Sequence, residues 1–224
     1  MATSKHILFF NQISITDIAK VGGKNASLGE MYNQLNPIGI NIPNGFAITA
    51  EGYRLFCESN YLEKPLEDLL FSLDKKEYSN LSNIGQKARN LILLATIPEE
   101  IRDEITTAYK ELSKLCGTDN LGVAVRSSAT SEDLPSASFA GRMESFLNIS
   151  GEKQLLEAVR RCYASLFTDR AIKYRHDMGF TGMDIAISVG IQQMIRSDKA
   201  TSGVAFTIDP DTGFKRPETG LKRP

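Results

Sequence analysis

The sequence predicts an α+β fold in which a helical segment is inserted between strand-rich segments. Apolar residues recur at helical spacing over about residues 51–117, whereas short apolar runs alternate with glycine- or proline-containing turns on either side. The chain has 224 residues, 42% of them hydrophobic, which is enough to form a core. We expect one domain over residues 1–214 and an irregular tail over residues 215–224, because proline and clustered charge in the tail disfavour another strand.

The N-terminal segment predicts a strand, a helix and a second strand. The run HILFF is typical of a buried strand, and the glycine turn at the start of VGGKNASLGEMYNQL leads into a helix. A short strand over residues 46–49 follows, and Thr49 is expected to cap a helix that begins near Ala50. Four apolar residues at helical spacing are expected to form the packed face of the first helix: Leu28, Met31, Tyr32 and Leu35.

Three apolar stripes predict the helices of the inserted segment. Pro98 suits the first turn of the last helix, and Gly117 suits its termination. The stripes are expected to serve packing rather than chemistry. They are formed by Leu66, Leu69, Leu70 and Leu73, by Ile84, Ala88, Leu91 and either Leu94 or Ala95, and by Ile101, Ile105, Ala108, Leu112 and Leu115.

After residue 122 the pattern changes to strand, loop, strand, helix and strand. Strands are predicted over residues 122–126, 144–149, 186–195 and 203–208. A short helix is predicted over residues 169–178, and a longer helix before it carries the apolar stripe Leu155, Val159, Tyr163 and Leu166.

Composition excludes several classes of function. The formal net charge of −1 gives no long-range attraction to nucleic acid or to an anionic membrane, and no apolar run is long enough to span a bilayer. Cys57, Cys116 and Cys162 are odd in number and far apart, without a CxxC metal pair, so we expect reduced thiols, a cytoplasmic protein and no metal ligands in this chain. His6 and His176 are expected at a strand end or on the surface rather than in a catalytic triad.

The run VAVRSSATSEDLPSASFAGRMESFLNI is the strongest candidate for a binding site. It predicts a strand that delivers Arg126 at its end, followed by a long loop of small and hydroxyl residues. A guanidinium beside many backbone N–H groups suits a polyphosphate. Alternatively, the run forms a β-hairpin in which Glu132, Asp133 or Glu144 pairs with Arg126.

Two other segments could contribute to such a site. The sequence Gly22-Gly23-Lys24 precedes a helix whose first N–H groups could bind an anion, although the P-loop spacing is absent and a plain turn remains the alternative. The strand that contains Gln192-Gln193-Met194-Ile195 could contact an adenine edge through free backbone groups, with Met194 or Ile195 as the flat apolar contact. The alternative for that segment is an ordinary buried strand.

Together these motifs resemble the N-terminal nucleotide-binding region of the phosphoenolpyruvate synthase and pyruvate phosphate dikinase family. The resemblance is carried, in the family's order, by VGGKNASLGEM, VAVRSSATSEDLPSASFAG, ESFLNI, QQMI and SGVAFTIDPDTGF. It implies the first lobe of an ATP-grasp fold, in which two α+β lobes enclose ATP. The implied reaction transfers a phosphoryl group from ATP to a histidine on a separate domain, and from there to pyruvate. A rifampicin phosphotransferase is a close alternative.

The resemblance also implies roles for individual residues. Lys24 and Arg126 would bind the ATP phosphates, with Arg126 acting in catalysis. The loop from Ser127 to Gly141 would cover the phosphates. The strand end at Gln193, Met194 and Ile195 would form the hinge beside adenine.

Two departures from the family pattern qualify this interpretation. The family often has GQQ where this chain has Gly141-Arg142-Met143, which adds a cation to the loop. The sequence to Pro224 also lacks the second lobe, the phosphohistidine domain and the pyruvate barrel, so these are the expected partners and the Mg²⁺ ligands are expected outside this chain. We therefore expect the isolated chain to be inactive, and a non-catalytic nucleotide-binding or interaction fragment is a further alternative.

Overall fold

The computed structural model describes residues 5–130, 144–180 and 185–196, two short strand segments between 133 and 138, and Lys199, Thr201, Gly203 and Phe206. The chain divides into two compact units, Met1–Met194 and Ile195–Pro224. Few residues of the second unit are described, so the fold given below is that of the first unit. The predicted strand over residues 203–208 and the predicted tail over residues 215–224 lie wholly or largely outside the described residues.

The first unit is built on a five-stranded antiparallel sheet. The strands lie in the order β1-β2-β7-β3-β6, so β7 pairs with both β2 and β3 near the middle of the sheet. A separate antiparallel pair, β4-β5, follows β3. The strands are β1 Ile7–Phe9, β2 Gly45–Ile48, β3 Val123–Ala129, β4 Asp133–Leu134, β5 Ala137–Ser138, β6 Ser145–Ile149 and β7 Ile187–Gln193.

Helices occupy most of the remaining described chain and confirm the α+β class. Four of them, α2 to α5, lie between β2 and β3 in the sequence, where helical periodicity predicted them. No helix in the described ranges is long and apolar enough to cross a bilayer. The helices are α1 Ile18–Leu35, α2 Ala50–Ser59, α3 Glu63–Phe71, α4 Leu81–Leu94, α5 Glu99–Leu115, α6 Glu152–Ala164 and α7 Asp169–Asp177.

Predicted helix boundaries agree with the local chemistry. The hydroxyl oxygen of Thr49 accepts a hydrogen bond from the Gly52 N–H at 3.4 Å, which confirms it as the cap of α2. Gly117 follows α5 with φ of 71°, a conformation that favours glycine at a helix end. Pro98 is the N-cap of α5, one residue before the predicted position, and Leu115 at the last residue of α5 is exposed rather than packed.

The two faces of the sheet differ in character because side chains alternate along each strand. One face carries branched and aromatic residues, such as Phe46, Val125 and Ile191, which join the large core formed with the helices after β2 and β6. The other face carries small or polar residues at the intervening positions, such as Ala47 and Gly190, and α1 lies against it. The candidate site lies on this second face, where the small side chains leave room beside α1.

The predicted packed face of α1 is partly wrong. Leu28 and Tyr32 are only half-buried, and Met31 is exposed. The buried residues of α1 are instead mostly small: Val21, Gly22, Gly23, Asn25, Ala26 and Gly29. The helix approaches its neighbours so closely that large side chains are excluded from the contact, which the apolar stripe could not indicate.

Candidate functional site

A cleft of about 330 Å³ lies beside the start of α1, on the small-residue face of the sheet. It contains two cationic side chains, Lys24 from α1 and Arg126 from β3, so the structure brings together two residues that the sequence predicted for phosphate binding. Five of its nine lining residues come from α1, and the other four come from β3, from β7 and from the residue that follows β1. The lining residues are Phe10, Gly23, Lys24, Asn25, Ser27, Leu28, Arg126, Gly190 and Gln192.

Gly22 interrupts α1 and sets where its regular part begins. Its backbone has φ of 72° and ψ of 162°, which is not helical, so the continuous helix starts at Gly23. The first N–H groups of a helix lack intrahelical acceptors and lie at the positive end of the helix dipole. The start of the regular helix therefore lies in the cleft, beside the Lys24 side chain.

Only glycine fits at position 22. Besides its positive φ, a Cβ atom there would lie 2.7 Å from the carbonyl oxygen of Ser128 and 2.8 Å from that of Ala129. Both distances are shorter than any ordinary carbon–oxygen contact. The close approach fixes the start of α1 against the end of β3, the strand that carries Arg126.

A buried polar network holds α1 to the sheet. The side-chain amide of Asn25 donates hydrogen bonds to the Val21 carbonyl and to the Ser188 hydroxyl oxygen, each at 3.0 Å. The Ser188 hydroxyl in turn donates to the Ile48 carbonyl at 2.6 Å. A Cβ atom at Gly190 would lie 3.1 Å from Asn25 Cγ, so the glycine leaves room for the amide. The network fixes the residue next to Lys24.

Arg126 lies in the middle of β3, not at the strand end as predicted. The strand continues to Ala129, which makes Arg126 the fourth of seven residues, and it pairs with Gly190 of β7 and Ser145 of β6. It is the one exposed residue of this otherwise buried strand. Within the described residues Arg126 forms no ion pair, and Glu144, a candidate partner, forms none with it. The side chains of Glu132 and Asp133 lie outside the described residues.

Ser127 lies on the opposite side of the sheet from the cleft. Its side chain is buried, and its hydroxyl donates to the Glu144 carbonyl at 3.3 Å. Gly141, at the other end of the predicted covering loop, lies outside the described residues. The first part of that segment belongs to β3, and the backbone pair β4-β5 follows, so the segment is not devoid of secondary structure as predicted.

The end of β7 brings Gln192, rather than Gln193, to the cleft. The Gln192 amide donates to the Pro43 carbonyl at 3.2 Å, while Gln193 and Met194 form backbone hydrogen bonds to Asn44 and Gly122. Because side chains alternate along a strand, Gln193 faces the other side. Ile195 is exposed and begins the second unit.

Sequence reasoning missed Asn25 and Gly190, and within the segment 192–195 it assigned the site to Gln193 rather than to Gln192. A glycine inside an apolar strand is itself a signal of close backbone approach. Applied to Gly190, that signal would have indicated the face of β7 that receives α1, and with it Gln192 two residues later.

The described lining of the cleft contains no carboxylate. Its charges are therefore positive, which favours an anion with several negative charges. Mg²⁺ prefers oxygen ligands that include carboxylates. The described lining therefore does not fit a resident Mg²⁺ ion, and no step can be assigned to such an ion from these residues.

The chain belongs to the pyruvate phosphate dikinase AMP/ATP-binding domain family, whose members it matches over residues 18–219. This result confirms the resemblance inferred from the ordered motifs.

Similar proteins include three bacterial phosphoenolpyruvate synthases. The chain is 49% identical to that of Synechocystis sp. over 213 residues, which is 93% of the chain and 26% of the relative. It is 46% identical to that of Helicobacter pylori over 94% of the chain and 26% of the relative. It is 43% identical to that of Escherichia coli over 95% of the chain and 26% of the relative. The chain thus spans about a quarter of the length of these relatives.

Proposed function

We propose that this chain is the N-terminal ATP-binding portion of a pyruvate, water dikinase, a phosphoenolpyruvate synthase. The observation that carries the proposal is the shared cleft: Lys24 and Arg126 reach it from different elements, in a domain that belongs to this family. Relatives named phosphoenolpyruvate synthase favour pyruvate over an antibiotic as the final acceptor. An ATP-grasp first lobe is part of the proposal, supported by the antiparallel sheet and the motif order.

The cleft is suited to hold a polyphosphate by three kinds of contact. The N–H groups at the start of the regular helix after Gly22 would donate to phosphate oxygens. Lys24 would act as a compact point charge, whereas the planar Arg126 guanidinium could form two parallel hydrogen bonds to one phosphate. Since phosphoryl transfer spreads negative charge over the transferring oxygens, Arg126 is the residue to which we assign transition-state stabilisation.

The adenine contact and the covering loop remain proposals. Gln193 is the last residue of β7, whose Gln192 lines the cleft, and Met194 follows it, so a nucleotide extending along this strand would meet them. On the sequence motifs we assign the same role to Ile195, and the covering of the phosphates to the part of the predicted Ser127–Gly141 loop that follows β3. The cleft volume is near the lower limit for ligand pockets, which suits part of a nucleotide.

The remaining parts of the reaction are assigned to other domains. Phosphoryl transfer from ATP requires Mg²⁺, and its carboxylate ligands are proposed to come from a second ATP-grasp lobe. The acceptor histidine and the pyruvate barrel are proposed on further domains of the parent enzyme. We also propose a cytoplasmic protein, since Cys57, Cys116 and Cys162 are all free thiols.

A calorimetric series with ATP, AMP and adenosine on the purified chain tests the phosphate contacts. ATP is expected to bind with a dissociation constant of about 0.1–1 mM, because one open lobe leaves the ligand in contact with water and salt. Affinity should fall with each phosphate removed, and should fall for ATP as salt is raised. Equal affinity for adenosine and ATP would overturn the assignment of this cleft.

Two activity assays test the rest of the proposal. The isolated chain should show no ATP turnover, and measurable turnover would mean that it contains a complete catalytic set. In the full-length parent, formation of phosphoenolpyruvate that depends on ATP and pyruvate supports the dikinase. Rifampicin-dependent ATP consumption without that product would identify the antibiotic phosphotransferase instead.

A further inference from the structure

A second cluster of candidate ligands lies at the junction of β1 and α5, built from residues that do not line the cleft. His6 precedes β1, and Glu100 and Glu104 lie on α5. One nitrogen of His6 and one carboxylate oxygen from each glutamate lie within 4.8 Å of one another. The elements that meet here belong to the sheet and to the helical segment between β2 and β3.

His6 is held rigidly in this cluster. Its side chain is 2% exposed. Its backbone N–H donates to Glu104 Oε2 at 3.2 Å, and its carbonyl accepts from the Thr49 N–H at 2.8 Å. Hydrogen bonds of its N–H and its carbonyl fix the backbone of His6, and burial restricts its ring. Little side-chain conformational freedom is therefore lost when a ligand binds.

The Nδ1 atom of His6 is buried but has no hydrogen-bond partner among the described residues. Glu104 Oε2 lies 3.3 Å away, within ion-pair distance, but not in hydrogen-bonding geometry. Buried polar atoms nearly always have a partner, and an exception often marks the place of a water molecule or an ion. This atom faces the Glu104 carboxylate.

The two carboxylates complement this nitrogen. Glu100 and Glu104 are four residues apart, so they lie on one face of α5, where like charges repel unless a cation is present. Glu104 is oriented by the backbone N–H of His6. Glu100 is exposed, so its side chain is free to adjust its position toward an ion.

We propose that His6, Glu100 and Glu104 bind a first-row divalent transition metal ion, with Zn²⁺ as the best fit and water in the remaining position. Imidazole favours such ions over Mg²⁺ or Ca²⁺, and Zn²⁺ takes both imidazole nitrogen and carboxylate oxygen as ligands. Bonds of about 2.0–2.2 Å place donors at most about 4.4 Å apart. The three donor atoms already lie within 4.8 Å of one another, so a small movement of Glu100 would bring them to this spacing. The ion would join the start of β1 to α5 and stabilise the fold.

The test uses the metal-free 224-residue chain titrated with Zn²⁺ alone. Calorimetry should show one ion bound with a dissociation constant of about 1–100 μM. At a hundredfold excess over that constant, the midpoint of thermal unfolding should rise by about 5–10 °C. Mg²⁺ at the same concentration should produce neither effect.

Glu100→Gln is the decisive variant because this exposed residue can change without disturbing the core. It should weaken Zn²⁺ binding at least tenfold and leave the metal-free unfolding midpoint unchanged. Glu111→Gln, an equal change of charge at an exposed position of the same helix, should bind as the wild type does. The proposal fails if the wild type shows no saturable Zn²⁺ binding below about 1 mM. It also fails if Glu100→Gln binds Zn²⁺ as tightly as Glu111→Gln does.

Discussion

Replacing Gly22 with alanine should disrupt both the fold and the cleft, because two separate constraints act at this position. The backbone has φ of 72° and ψ of 162°, a region that only glycine occupies readily. The added methyl group would also meet the carbonyl oxygens of Ser128 and Ala129 at 2.7 and 2.8 Å. Neither oxygen can move easily, since both belong to the backbone at the end of β3.

The expected cost follows from these two constraints. Backbone strain in such a region contributes about 1–3 kcal/mol, and overpacking contributes about 1–3 kcal/mol more. A loss of about 2–6 kcal/mol is a large share of the free energy of unfolding of an ordinary domain, about 5–15 kcal/mol. At about 2–4 °C per kcal/mol for a chain of this size, the unfolding midpoint should fall by roughly 5–20 °C.

Gly39→Ala is the matched control. Gly39 also has a positive φ, 87°, but a Cβ atom there would meet nothing within 4 Å. Its cost should be limited to the backbone term of about 1–2 kcal/mol. Thermal and urea unfolding of both variants should show a clearly larger loss for Gly22→Ala. Equal losses would refute the argument that β3 excludes a side chain at position 22.

Three further perturbations test other parts of the structure. Asn25→Ala removes the amide that joins Val21 to Ser188 and should cost about 1–3 kcal/mol in urea unfolding; a change below 0.5 kcal/mol would contradict the network. Thr49→Ala removes the α2 cap and should cost about 0.5–2 kcal/mol, whereas Thr49→Ser should retain most of the stability. The Ser79 hydroxyl, with the Glu77 and Lys76 N–H groups, lowers the pKa of Asp74 from 3.8 to about 2. The folded-state pKa is depressed, so this contribution to stability is present above pH 3.8 and is lost as pH falls toward 2; a carboxyl NMR titration giving 3.8 would show that these hydrogen bonds do not form.

Most elements could be predicted because their signals are local. The periodic residues Ile101, Ile105 and Leu112 are all buried on α5, and the Thr49 and Gly117 signals fall at the helix ends they predicted. Such patterns depend on which side chains can share one face of a helix and on which residues satisfy a helix terminus. Neither requires knowledge of distant parts of the chain.

The arrangement of the candidate site depends instead on long-range pairing. The strand order β1-β2-β7-β3-β6 joins segments more than a hundred residues apart, and no local signal specifies it. This order places Gly190 beside Arg126 and brings Gln192, not Gln193, to the face of α1. A shift of one residue reverses the side on which a strand residue lies, which is why Ser127 also faces away from the cleft.

The central claim is that Lys24 and Arg126 bind one polyphosphate, and calorimetric titration of ATP into single variants tests it most directly. Lys24→Ala and Arg126→Ala should each weaken binding by about tenfold or more, the effect of losing one hydrogen-bonded charge. Lys20→Ala is the control, because this substitution removes the same charge four residues from Lys24. The Lys20 side chain is exposed and pairs with Asp17 at 2.8 Å. The account predicts a loss of ATP affinity in both cleft variants and wild-type affinity in Lys20→Ala. Unchanged affinity in either cleft variant, or an equal loss in all three, would contradict it.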